Sequence, residues 1–76
     1  MNNTNIENEK VNIPITEKYL LNVIEVMEYT GLGRDRVYQL MRSGRLKTIK
    51  IGRYNKIHRL ELEKFLDRAA EENIVL

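Results

Sequence analysis

A three-residue turn, Gly31-Leu32-Gly33, is the feature that most constrains how this chain can fold. Apolar residues recur at helical spacing on both sides of it, so the sequence predicts one helix over about 23–30 and another over about 34–43. Glycine tolerates a positive φ, and a leucine between two glycines can fill the angle between two packed helices. The turn therefore predicts two short helices joined at a steep angle.

Both ends of the first helix are marked in the sequence. Asn22 is a good N-cap, and Glu25 stands three residues later, where it can complete a capping box. Gly31 supplies the left-handed position that ends a helix. The apolar face should carry Val23, Val26, Met27 and Thr30, with Glu25 and Glu28 turned to solvent. This helix is predicted to be the supporting half of a helix-turn-helix unit.

The second helix should bury Val37, Leu40 and Met41 and end at Gly44. Its outward positions are the candidate DNA-reading residues: Arg34, Asp35, Arg36, Tyr38, Gln39 and Arg42. Arginine can fork onto guanine, glutamine onto adenine, and a tyrosine hydroxyl can bind a phosphate. The pattern is typical of a recognition helix that enters the major groove.

From Leu46 the apolar period changes from helical to alternating, which predicts a two-stranded hairpin, or wing. Residues 52–55 are expected to form its loop. Ile49, Ile51 and Ile57 are expected to face the core, with the two lysines on the outside. The candidate DNA contacts of the wing are Lys50, Arg53, Tyr54 and Lys56, suited to a phosphate backbone or a narrow minor groove.

Positive charge is concentrated in residues 34–59. This stretch holds nine of the thirteen Lys and Arg residues and one acid, Asp35, so its net charge is +8 while that of the whole chain is +2. Such a concentration is the electrostatic footprint of a polyanion-binding surface. Double-stranded DNA is the predicted partner.

The rest of the composition excludes several classes of protein. The 76 residues include no cysteine and one histidine, so no metal site or cofactor is expected, and no nucleophile and base stand at usable spacing for an enzyme. His58 is expected to be structural or to cap a helix. No apolar stretch is long enough to cross a bilayer, which predicts a cytoplasmic, nucleoid-associated protein with no membrane partner.

The two ends of the chain are predicted to differ. Residues 1–12 are polar and are expected to be a disordered tail, with a domain over 13–76 that opens on an extended segment at 19–21. A last helix from about Leu60 to about Glu71 should bury Leu62, Phe65, Leu66 and Ala69, and the net charge of −3 over residues 60–76 places this segment away from DNA. The apolar end, residues 74–76, either frays or contacts a partner.

Several motifs together resemble a known family: Leu21-Asn22-Val23, Gly31-Leu32-Gly33-Arg34, Val37-Tyr38, Arg42-Ser43-Gly44-Arg45-Leu46, Ile51-Gly52-Arg53, Ile57-His58-Arg59 and Phe65-Leu66. In this combination they resemble the excisionase-type DNA-binding domains of the MerR-like winged-helix superfamily, and the lead-in at 13–19 is similar to excisionases of conjugative transposons. The resemblance implies a small α+β winged helix-turn-helix domain: a short N-terminal strand, the helix-turn-helix, a two-stranded β wing and a C-terminal helix. Gly33, His58 and Leu60 depart from the family's usual residues.

The family implies an excisionase, a recombination directionality factor. Such a protein binds and bends DNA and promotes excision of a mobile element by a tyrosine-type integrase, which makes the integrase and neighbouring copies on DNA the further partners. The alternative is a small MerR-like transcriptional regulator. A protein-interaction adaptor on the same fold is a third hypothesis, which the +8 stretch argues against.

Overall fold

The computed structural model of the protein describes residues 12–76, and nearly all of the expected disordered tail, residues 1–12, lies outside this range. A 3-10 turn at Ile15–Glu17 leads into strand β1. The elements then follow in the order β1 (Leu20–Leu21), α1 (Val23–Thr30), α2 (Arg34–Arg42), β2 (Thr48–Ile51), β3 (Tyr54–His58) and α3 (Arg59–Glu72). The expected small α+β winged helix-turn-helix fold is confirmed.

The three strands form one antiparallel sheet in the order β1-β3-β2. Strand β1 pairs with the second strand of the wing, with Leu20 opposite His58 and Leu21 opposite Ile57. Strand β2 pairs with the other side of β3. The wing is therefore continuous with the strand that leads into the helix-turn-helix.

The core draws at least one buried side chain from nearly every element. Leu21 and Ile57 come from the sheet and are fully buried. The helices and the segment before β2 add Val26, Val37, Leu40, Leu46 and Leu62. Burying a side chain of this size stabilises a protein by roughly 1.5–3 kcal/mol. The apolar faces expected for α1, α2 and α3 are thus the faces that meet.

Helix α1 has the predicted bounds and the predicted caps. The backbone N–H of Glu25 donates to Asn22 Oδ1 at 2.8 Å, and the N–H of Asn22 donates to Glu25 Oε1 at 3.0 Å. Gly31 has φ of +79° and closes the helix with an N–H bond to the Met27 carbonyl. Glu25 is half-buried by its contacts, so the expectation that it turns to solvent is wrong.

Helix α2 ends in a turn that is fixed by a buried side chain. Ser43 is its C-cap, and Gly44 follows with φ of +79°, a conformation that glycine adopts without strain. The N–H of Leu46 then returns to the Leu40 carbonyl at 3.1 Å, and the Leu46 side chain is only 2% exposed. This turn sets the direction in which the chain enters the wing.

The hairpin loop is shorter than predicted. It contains only Gly52 and Arg53, because Tyr54 and Asn55 belong to β3 and Tyr54 pairs with Ile51. Gly52 has φ of +61°. A glycine with positive φ at the first position of a two-residue loop is the requirement of a type II′ turn, whose twist matches that of the strands.

The predicted faces of the wing are wrong. Ile49 lies opposite Lys56, whereas Ile57 lies opposite Thr48 and shares its face with Lys50. Opposed residues in an antiparallel pair point to the same side of the sheet, so Ile49 and Ile51 point away from Ile57. They are 42% and 47% exposed while Ile57 is fully buried.

Helix α3 begins at Arg59 and ends at Glu72, one residue beyond the prediction at each end. Leu62 and Ala69 are buried, and Phe65 and Leu66 pack partly against the core as expected. His58 occupies the N-cap position, but its side chain makes no capping bond, and its buried Nδ1 has no hydrogen-bond partner among residues 12–76. The prediction that it caps the helix is therefore wrong, and its ring lies beside Tyr19, with 5.8 Å between the ring centroids.

Because Ile57 is buried and Ile49 is exposed, the same substitution should affect stability unequally at the two positions. Ile57→Val should lower the free energy of unfolding by about 0.5–1.5 kcal/mol, because it removes a buried methyl group. Ile49→Val, the matched control on the exposed face, should cost less than about 0.5 kcal/mol. Urea unfolding followed by circular dichroism measures both. Equal losses would contradict the register described here.

Candidate DNA interface

The outer face of α2 carries the six residues predicted to read DNA. Arg34, Asp35, Arg36, Tyr38, Gln39 and Arg42 are all exposed. The opposite face is held in the core by Val37 and Leu40, which fixes the rotation of the helix about its axis. The structure therefore presents these side chains together on one surface.

Two of these side chains bond to each other. The guanidinium of Arg36 donates to Gln39 Oε1 at 2.7 Å, one helical turn away. An arginine has five N–H donors and a glutamine amide two, so the bond leaves further donors on both side chains. The pair can thus be pre-oriented and still offer hydrogen bonds to a ligand.

The four predicted wing residues do not share one face. Arg53 lies at the tip, in the two-residue loop. Tyr54 and Lys56 lie on the face with Ile49, and the Lys56 ammonium is 5.9 Å from the centre of the Tyr54 ring. Lys50 lies on the other face, opposite Asn55.

Most of the cations in residues 34–59 form no ion pair within the described part of the chain. The ion pairs among residues 12–76 are Lys18–Glu25, Arg59–Glu63 and Lys64–Glu61. None of them involves the eight other cations of the stretch, which are Arg34, Arg36, Arg42, Arg45, Lys47, Lys50, Arg53 and Lys56. This set is called the cationic surface below. A surface of this kind offers its charge to an external anion.

Sequence reasoning did not select two residues of the cationic surface. Arg45 and Lys47 are exposed on the segment between α2 and β2, on either side of the buried Leu46. The sequence does contain a pattern that predicts them. Gly44 ends the helix, and if the leucine that follows is buried, the two cations on either side of it must point outward. They extend the cationic surface from the helix to the wing.

Arg59 is part of the charged stretch but serves the fold. Its Nε donates to the Lys18 carbonyl at 2.7 Å, and a terminal nitrogen donates to Glu63 at 3.0 Å. Its backbone N–H bonds to the Tyr19 carbonyl at 2.8 Å. These bonds tie the start of α3 to the segment before β1, so this cation points into the molecule.

Two carboxylates that support the site have lowered pKa values. The Glu63 pKa is lowered by the hydrogen bond from the Tyr29 hydroxyl and then by Arg59; the same bond raises the pKa of Tyr29. Burial opposes ionisation of Glu25 and by itself raises its pKa. The hydrogen bonds from Lys18 and from the Asn22 N–H, together with the positive charges of Lys18 and Lys56, outweigh burial, so the pKa of Glu25 is lowered. Both carboxylates are ionised when these contacts form.

Folding stability should therefore fall in acid. A carboxylate whose pKa is lower in the folded state stabilises the protein above its unfolded pKa, near 4.5 for glutamate, and this contribution is lost as the pH falls through the folded value. The double substitution Glu25→Gln with Glu63→Gln should be less stable at neutral pH and should lose less stability in acid. Thermal unfolding across the pH range measures this.

A matched control is Glu28→Gln, which changes the same group on the exposed side of α1. It should leave the acid dependence of the melting temperature close to that of the unmodified protein. If the double substitution lost stability in acid as steeply as the unmodified protein does, these two carboxylates would not be the source of the dependence.

Comparisons with known proteins agree with this architecture. The family described as "Helix-turn-helix domain" matches residues 20–70, from β1 into α3. A protein described as "Probable excisionase", from Saccharopolyspora erythraea, is 33% identical over 54 residues, which is 71% of this chain. The chain spans about half the length of that relative, 55%. No solved structure matches it significantly.

None of the helices described over residues 12–76 is both long enough and apolar enough to cross a bilayer.

The match to the family covers the helix-turn-helix, the wing and most of α3. The chain therefore belongs to the helix-turn-helix domain family, and the excisionase-type DNA-binding domain expected from its sequence is confirmed.

Proposed function

We propose that this protein is a DNA-bending excisionase that promotes integrase-mediated excision of a mobile element. It binds duplex DNA with α2 in the major groove and the wing at the adjacent minor groove. The observation that carries the proposal is the cationic surface, whose residues lie on both elements and form no ion pair among residues 12–76. The described chain acts by binding, with no catalytic step assigned to it.

The recognition helix supplies both positioning and reading groups. Arg34 and Arg36 in its first turn can fork onto guanine O6 and N7, and Gln39 can bond adenine. Tyr38, 39% exposed, offers its hydroxyl to a phosphate. The Arg36–Gln39 bond supports this assignment, because it holds two base-reading groups side by side before DNA arrives.

We expect the duplex to bend because the protein contacts it at two places, with the helix and with the wing. The helix and the wing are joined through Leu46 and the core, so they form one rigid unit rather than two flexible arms. Bending a binding site of 20–30 base pairs costs roughly 1–6 kcal/mol, and the extra phosphate contacts that the bend allows can offset this. The bend would bring integrase sites into the geometry that excision needs.

The integrase partnership rests on the similarity to the probable excisionase. A tyrosine-type integrase and neighbouring copies of this protein are the partners that we propose. The surface that we propose for them lies on α3, where Asp67, Glu71 and Glu72 are exposed, and at Val75, which is 88% exposed.

The proposal is tested by reconstituted excision. Adding the protein to its cognate tyrosine-type integrase and a supercoiled element should stimulate excision, and Arg34→Ala with Arg53→Ala should abolish the effect. Electrophoretic phasing measures the bend on the same DNA. A protein that binds and bends DNA but leaves excision unchanged would refute the excisionase role and favour the regulator.

The salt dependence of DNA binding distinguishes cations that contact DNA from cations that stabilise the fold. If about six phosphates are neutralised, a plot of the logarithm of the DNA-binding constant against the logarithm of the salt concentration should have a slope near −5. Arg53→Ala should make this slope about 1 less steep. Arg59→Ala should leave the slope unchanged, because Arg59 bonds to Lys18 and Glu63, but should lower the unfolding free energy by roughly 1–3 kcal/mol. Fluorescence anisotropy and thermal melts give the two readouts. A reduced slope for a folded Arg59→Ala protein would contradict this assignment.

A further inference from the structure

Asp35 is the one carboxylate in the strongly basic stretch of residues 34–59. It lies in the first turn of α2, and its side chain is exposed. Since each residue turns a helix by about 100°, Asp35 lies roughly 160° around the axis from the buried Val37 and roughly 140° from the buried Leu40. Its carboxylate is therefore directed at whatever lies against the outer face of the helix.

This carboxylate is left without a cation by the placement of its neighbours. None of the ion pairs among residues 12–76 includes Asp35. Side chains on a helix meet those three or four residues away, and adjacent residues point to different sides. Arg34 and Arg36 therefore point away from it. The residues at the spacing that allows contact are all uncharged: Gly31, Leu32, Tyr38 and Gln39.

A structural use does not explain why the acid stands at this position. An acid in the first turn interacts favourably with the positive end of the helix dipole. Positions 34 and 36 would offer the same benefit, and both lie nearer the buried side, roughly 60° from Val37 and roughly 40° from Leu40 respectively. At position 35 the charge instead faces the ligand, where it repels phosphates. Its placement points to a contact with the ligand itself.

The side chain one turn further along complements Asp35. Gln39 follows four residues later, on the same side of the helix. Its Oε1 accepts the bond from Arg36 at 2.7 Å, and its amide NH2 group is a donor for other partners. The outer face is therefore not uniformly cationic. It presents an acceptor and then a donor, which is the kind of pattern that can distinguish one base sequence from another.

The chemistry of the base edges narrows the partner of this acceptor to one base. An ionised carboxylate only accepts hydrogen bonds. In the major groove guanine presents two acceptors, thymine an acceptor and a methyl group, and adenine an acceptor beside its amino group. Cytosine presents its N4 amino group without an acceptor on its own edge. A carboxylate in the groove is therefore attracted to cytosine, while the other three bases each place an acceptor before it.

We infer, on the basis of the proposed function, that Asp35 is a specificity-determining residue that selects a cytosine in the DNA site. Its carboxylate accepts a hydrogen bond from the cytosine N4 amino group. Guanine, thymine and adenine are disfavoured at that position because their acceptors face a negative charge. The same charge weakens binding to DNA of other sequence, so Asp35 widens the difference in affinity between the specific site and the rest of a genome.

Selection from randomised duplexes measures the base preference at each position of the bound site. The unmodified protein should enrich cytosine over the other bases at one position, by roughly tenfold to hundredfold. Asp35→Ala should lose the preference at that position alone. Asp35→Asn should accept adenine there, because an amide can bond adenine N6 and N7. Retention of the cytosine preference by both variants would overturn the inference.

Removal of one group from the DNA tests the contact directly. Replacing the selected cytosine with 2-pyrimidinone deletes the N4 amino group and leaves a base that still pairs with guanine. This change should weaken binding of the unmodified protein about tenfold and should leave binding of Asp35→Ala unchanged, because the partner of the amino group is already absent. Equal weakening of the two proteins would show that the carboxylate and the amino group do not meet.

Glu28→Gln is the matched control, because it neutralises an exposed carboxylate on α1. It should keep the cytosine preference and the affinity for DNA that lacks the site, whereas Asp35→Ala should bind such DNA about twofold more tightly. Thermal melting of each variant measures the helix-end effect separately. A lower melting temperature for Asp35→Ala with an unchanged base preference would show a purely structural role and overturn the inference.

The proposed function and this inference fail in different ways. An unmodified protein that binds duplex DNA with the expected salt dependence but enriches no cytosine would overturn the inference alone. An unmodified protein that shows no salt-dependent binding to duplex DNA would refute the proposed function, and the inference with it.

Discussion

The pairing of β1 with β3 is the contact on which the rest of the structure depends. Leu21 and Ile57 face each other across it, and both are fully buried. The residue after each strand begins the next feature: Asn22 caps α1, and Arg59 starts α3 with its bonds to Lys18 and Tyr19. One short pairing therefore sets the positions of the wing, the first helix and the last helix relative to each other.

The same arrangement separates the charges that hold the fold from those that face outward. Three described cations, Lys18, Arg59 and Lys64, pair with carboxylates on α1 and α3. The eight cations of the cationic surface repel one another, which costs stability in the isolated protein. A polyanion removes this repulsion, so the binding surface is itself a source of instability that its ligand would relieve.

Features encoded by neighbouring residues were predictable from the sequence, and features that depend on distant pairing were not. The bounds of α1 follow from Asn22, Glu25 and Gly31, all of which act within the helix or beside it. The bond of Arg59 to the Lys18 carbonyl could not be inferred, because Lys18 lies 41 residues away in the chain. The wing error had another cause. The loop contains two residues, so odd-numbered residues of β2 lie opposite even-numbered residues of β3. Residues that lie opposite each other share a face, and Ile49 therefore cannot share a face with Ile57.

That correction changes how the wing sequence is interpreted. Strand β2 is an edge strand in which all four residues are exposed, so the core places no demand on their identity. Exposed isoleucines at a sheet edge invite unwanted strand pairing, and lysine in the strand is a common protection against it. Lys50 within β2 and Lys47 just before it provide such protection. Two isoleucines exposed at this edge, 42% and 47%, are therefore a cost to the isolated protein, which the two lysines limit by opposing strand pairing.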